Sequence, residues 1–246
     1  MRNCNSKIVP GLLLIALVAA PRPAAAAFEN IFQGIRSVFT GSSALTEGEV
    51  ANGLKEALRL GTGNAVAAVG QEGGYLNNPF IRIPLPGALQ KSESFLRLAG
   101  YGPQLDAFSE SMNRAAEKAA PQAREIFVQA IRDMTINDAR QILGGGDTAA
   151  TSYFKGKTQD RLREMFLPVV HESLAEVGAT RHFQELDRSV KSLPFGGALT
   201  FDLDRYVTDG ALHGLFHVLG EEERKIRQNP AARTTELLRK VFGSVD

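Results

Sequence analysis

The side chains best placed for chemistry are His213, His217 and Glu221, spaced i, i+4 and i+8 so that they share one face of a helix. Two imidazoles one turn apart can share a divalent metal, and a carboxylate one turn further on extends the row. A complete site needs another ligand from a second element, such as His171 or His182. The same histidines flank an apolar face of Leu212, Leu215, Phe216 and Leu219, which is what a core helix presents. A metal-binding protein or metal-dependent hydrolase is therefore the alternative reading. No metal ligand or cofactor is assigned.

Other stretches begin like catalytic signatures and stop short. His171-Glu172 opens a zinc-protease helix, but Ala175 stands where the second histidine must be. Gly156-Lys157-Thr158 ends like a phosphate loop, yet Thr151 occupies the place of its first glycine; a turn with Thr158 as helix cap fits better. Ser152-x-x-Lys155 lacks the companion Ser-Asp-Asn and Lys-Thr-Gly elements of penicillin-recognising enzymes. Asp202-x-Asp204 lacks the glycine and the terminal glutamate of a calcium loop, having Val207 and His213 instead. The glycines 144–146 and Asp147 read as a helix stop followed by an N-cap rather than an anion nest. No catalytic residue is assigned, and the pattern favours a binding protein over an enzyme.

One segment stands apart. Residues 70–87 read GQEGGYLNNPFIRIPLPG, where Pro79, Pro84 and Pro86 forbid a central strand. An extended loop or a short edge hairpin is expected. A loop of this length in a helical domain is often functional. Tyr75, Phe80, Ile81 and Ile83 are the candidate partner contacts, or else they fill the end of the bundle; the sequence supports both.

The elements around these residues are helical. Thr46 and Glu49 form a capping box, and Thr135 with Asp138 forms another. Gly61-Thr62-Gly63 marks a weak point in the first helix, and Gly100-Tyr101-Gly102 with Pro103 marks a turn and a new start. Leu162, Met165, Phe166, Val169, Val170, Leu174 and Val177 make the cleanest stripe, with Phe166 expected at the bundle centre and a kink at Pro168. A helix opens at Asp202 or Asp204, and a last one covers about 231–242. The expected fold is all-α, a multi-helix bundle of about eight or nine helices carrying the proline loop.

The start of the chain reads as an export signal. Arg2 and Lys7 precede an apolar stretch over 8–20, and Ala25-x-Ala27 offers a cleavage point before Phe28. The expected organisation is a cleaved signal peptide (1–27), an N-terminal segment (28–44) and a single helical domain (45–243). The apolar stretch is shorter than the roughly 20 residues a bilayer needs, and no later one replaces it. Cys4 is the only cysteine, so the mature chain has none. Loss of Arg2, Lys7 and Arg22 turns 28 basic against 27 acidic residues into 25 against 27, a near-neutral balance. That gives no electrostatic footprint for nucleic acid. The partner is expected to be a protein or an apolar ligand.

Two strings then carry a family likeness: 75–86 (YLNNPFIRIPLP) and 206–216 (YVTDGALHGLF), followed by Glu221-Glu222-Glu223 and 226–235 (IRQNPAARTT). From about Leu45 to Phe242 the chain resembles domain-of-unknown-function family 4197. The resemblance implies a bacterial exported protein, most plainly a periplasmic one, and brings no activity, ligand or catalytic residue with it.

Overall fold

The computed structural model describes residues 46–191 and 201–228, and every regular element in that range is helical. The signal peptide, the segment 28–44, the break at Pro194 and the expected last helix at 231–242 lie outside the described residues. Thr46 starts helix α1 (Glu47–Gly70) through the expected capping box, with Glu49 Oε2 accepting from the Thr46 amide at 2.8 Å. Gly61-Thr62-Gly63 does not break it. Gly61 and Thr62 are buried, the Thr62 hydroxyl donates to the Leu58 carbonyl at 2.7 Å, and a Gly61 Cβ would stand 3.6 Å from Ile226. Packing outweighs the cost of about 1 kcal/mol that a helical glycine carries.

The loop 71–86 leads into helix α2 (Gly87–Leu96), a π-helical turn over Arg97–Tyr101, helix α3 (Gly102–Ala119), a 3₁₀ turn over Ala120–Gln122, and helix α4 (Ala123–Arg132). Gly100 at φ 92° makes the expected bend, and Pro103 lies in the first turn beyond it. Helix α5 (Ile136–Leu143) begins at the second capping box, where Asp138 Oδ2 accepts from the Thr135 amide at 2.9 Å. Helices α6 (Ala149–Glu176), α7 (Ala179–Lys191) and α8 (Leu203–Gln228) complete the described chain. Asp202 Oδ1 accepts from the Arg205 amide at 2.9 Å, which makes Asp202 the residue that opens α8.

The all-α class holds, but the count of eight or nine separate helices does not. The α-helical stretches join into six runs among the described residues, because 87–132 continues through its π and 3₁₀ turns with a kink at Gly100. Helix α6 likewise runs straight through Gly156-Lys157-Thr158. The Thr158 hydroxyl donates to the Phe154 carbonyl at 2.6 Å, four residues back, so Thr158 is an interior residue and not a cap.

Asp147 is also not the cap of α6; its carboxylate accepts from Gln228. The cap comes from a distance. Glu223 of α8 accepts the Ala150 and Thr151 amides, each at 2.8 Å, and the Thr151 hydroxyl at 2.8 Å. Its charge is balanced by Arg227 at 2.9 Å, with both side chains almost buried. A carboxylate at a helix start satisfies orphan N–H groups and suits the dipole. Here it also bolts α6 to α8.

The core runs through α1, α3, α4, α6 and α8. Phe166, Leu162, Val170 and Leu174 are fully buried, as the stripe predicts, whereas Met165 turns out to solvent. Phe127 meets Phe154 and Phe216 edge-on at 5.5 and 6.2 Å between ring centroids.

Candidate functional site: the clamped loop and its two clefts

The loop 71–86 contains no strand or hairpin; turns over 71–81 lead into an extended stretch up to Pro86. Its backbone is held by side chains of α3. Asn113 accepts the Ile83 amide through Oδ1 at 2.8 Å and returns Nδ2 to the Ile83 carbonyl at 3.0 Å. One amide side chain thus does what a neighbouring strand would do. One turn along, the buried Glu117 Oε1 accepts the Tyr75 and Leu76 amides, both at 3.1 Å. Arg114 neutralises it at 2.9 Å and reaches Glu72 of the loop at 2.9 Å.

The other side of the loop lies on α8. Tyr75 is fully buried and donates its phenol to the Ala211 carbonyl at 2.6 Å. Burial, and then the Glu117 charge, push that phenol far above its ordinary range, so it remains a donor. The approach requires glycine. A Cβ on Gly214 would stand 2.4 Å from the Tyr75 ring and 3.1 Å from Ile81 Cβ, and one on Gly210 would stand 3.0 Å from Ile83. These are the glycines of the string 206–216, and the residues they meet belong to the string 75–86.

This corrects the expected contact surface. Tyr75, Ile81 and Ile83 are buried and serve as core, so three of the four candidate contacts fill the bundle. Phe80 alone faces outward, at 76 % exposure. Asn78 Oδ1 accepts the Phe80 amide at 3.0 Å, and the Asn78 carbonyl accepts from Ile81 and Arg82. A tight turn therefore lifts this one side chain off the surface. Its ring stacks on the His217 imidazole, with centroids 6.1 Å apart and planes 14° from parallel.

The Phe80–His217 ridge stands between two open clefts that share His217. One, of about 380 Å³, lies between the loop and α8, where Val69, Asn78, Glu221 and Lys225 contribute. The other, of about 360 Å³, lies between α6 and α8 and is polar, with Lys155, Arg163, His213 and Arg224 on its walls. By contrast, the apolar pocket between α1 and α8 beside Leu54, Leu58 and Leu219 holds about 20 Å³, room for one water.

The histidine row is present on α8, but its members are used singly. His213 is exposed; His217 stacks under Phe80 with Nε2 4.0 Å from Glu221; Glu221 is drawn to Arg224, which holds its carboxyl below the usual range. Among the described residues no three His, Cys, Asp or Glu side chains are grouped to hold a metal ion. His171, considered as a further ligand, sits with Nδ1 2.7 Å from Asp204. Asp204 lies nine residues before His213, about 13 Å along the helix by its rise. His182 has a buried Nδ1 without a partner among the described residues. Lys155, met only in the incomplete Ser152-x-x-Lys155 pattern, and Arg163, in no motif, reach the site because residues 155, 159 and 163, four apart, share the face of α6 turned to α8.

The geometry defines a helical protein with one side-chain-clamped loop and an open, unequal pair of clefts on its last described helix. Residues 44–243 match the family described as a protein of unknown function (DUF4197), and the chain belongs to it. No curated protein and no solved structure matches. Among the described residues no helix is long and apolar enough to cross a membrane.

Proposed function

We propose that this chain is an exported, non-enzymatic binding protein of the bacterial envelope, and that it meets a protein partner through the ridge of Phe80 and His217. The observation that carries the reading is the contrast within the loop. Its backbone is fixed at Tyr75, Leu76 and Ile83 by buried side chains, while one large aromatic is left outside. An apolar side chain displayed on rigid backbone loses little entropy on binding, and aromatic residues are the usual anchors of interfaces. The apolar-ligand version has less support: the pocket between α1 and α8 holds only about 20 Å³, and the apolar cleft of about 300 Å³ between α1 and α5 lies open to solvent rather than enclosing a ligand. The metal reading is not favoured by any grouping of ligands among the described residues.

A photo-reactive phenylalanine analogue at position 80, introduced in cells that make the protein, tests this. A discrete cross-linked species is expected from position 80 and not from the exposed control Glu164 on α6. Equal labelling at both positions, or none at position 80, would remove the ridge as a contact surface.

A further inference from the structure

The polar cleft between α6 and α8 adjoins the Phe80 contact at His217 but has its own chemistry. Its floor is apolar where the small exposed edges of Leu212 and Phe216 reach it. Gly220 and Thr148 line one end of the open cleft, and the ion pair of Arg163 Nε with Asp209 at 3.0 Å marks the other. Between these ends the two helices contribute Lys155 and Gln159 from α6 and His213 and His217 from α8.

The carboxylates of the cleft are already answered. Asp209 is engaged by Arg163, and Glu221, at the margin, by Arg224. Each guanidinium has five N–H groups, so both keep donors to spare. Lys155 and His213 have no hydrogen-bond or ion-pair partner among the described residues. The N-terminus of α6 contributes nothing here, because Glu223 already accepts its Ala150 and Thr151 amides. What remains is a ring of unused donors around an apolar floor.

We propose that this cleft binds a small organic anion, with its apolar body on Leu212 and Phe216 and its anionic head on Lys155 and His213. A cleft of about 360 Å³ is of the size that holds such a ligand. A neutral apolar molecule would make no use of the ammonium, and an inorganic anion would leave the floor wet.

The test uses three probes with the same ring: phenylacetate, phenyl phosphate and neutral phenylacetamide. Each is titrated into the purified chain and followed by amide chemical shifts. At least one anion should saturate, shift the amides around Lys155 and His213, and bind at least about tenfold tighter than the amide, as a charge-assisted hydrogen bond implies. The double change Lys155→Gln with His213→Gln should weaken that anion about tenfold. Both residues are exposed, so an unchanged melting curve should accompany the loss. The inference is overturned if neither anion saturates, if the amide binds equally well, or if the double variant binds as before.

Discussion

Glu117→Ala should lower the unfolding free energy by about 3–5 kcal/mol, because two loop amides lose their acceptor at about 1–3 kcal/mol each. Glu117 is 3 % exposed and accepts the Tyr75 and Leu76 amides, and its loss strands both donors. It also leaves Arg114 with only its exposed partners Glu72 and Glu110. Urea melts of the two proteins measure the difference, and the slope of the transition should stay unchanged if the native fold is retained. Glu117→Gln keeps an acceptor for the two amides and should lose visibly less. A loss under about 1 kcal/mol for the alanine variant would mean that the loop does not depend on this carboxylate.

Gly214→Ala should destabilise even though alanine is the better helix former. The gain in helix propensity is worth about 1 kcal/mol. Against it, the added methyl would stand 2.4 Å from the ring of a fully buried tyrosine, which has no free space to yield. Overpacking of this kind costs about 3 kcal/mol, and the Tyr75 phenol would be pulled off the Ala211 carbonyl as well. The same substitution at Gly156 is the counterpart. Gly156 is inside α6, exposed, with nothing within 4 Å of its Cβ position, so Gly156→Ala should stabilise by about 0.5–1 kcal/mol. Thermal melts that show the same sign at both positions would contradict the packing of the loop on α8.

Much of the scaffold is legible in the residues because it rests on local rules. The capping boxes at Thr46 and Thr135 and the bend at Gly100 depend on neighbours three or four positions away, and so does the buried stripe through Phe166. The failures have a common cause in tertiary contact. Gly61-Thr62-Gly63 and Gly156-Lys157-Thr158 look like breaks by propensity, but α1 and α6 run through them.

The site was less legible for the same reason. Nothing local separates Glu117 or Glu223 from the other glutamates on these helices. Glu223 with Arg227 reads as a favourable surface pair at i, i+4, and the pair does form, but almost buried and bonded to a helix start 72 residues away. Asn113 is likewise an ordinary polar residue until Ile83 meets it. The one sequence signal for the loop's seat was the glycine spacing Gly210 and Gly214 in α8, at i, i+4, which marks a face where another segment can approach closely. Tyr75, Ile81 and Ile83 could not be sorted from Phe80 without the fold, since all four have the side chains of a contact surface.

The claim on which the account rests is that a proline-rich loop without regular structure is held as firmly as the core, by Asn113 and Glu117. Amide hydrogen exchange on the native chain measures this directly. The amides of Tyr75, Leu76 and Ile83 should exchange as slowly as buried helical amides of α3, while that of Phe80, bonded only to Asn78 in an exposed turn, exchanges faster. Asn113→Ala should release Ile83 toward the exchange rate of an open loop and leave α6 protected. Fast exchange at Tyr75, Leu76 and Ile83 in the unaltered protein would contradict the clamp, and with it the fixed display of Phe80.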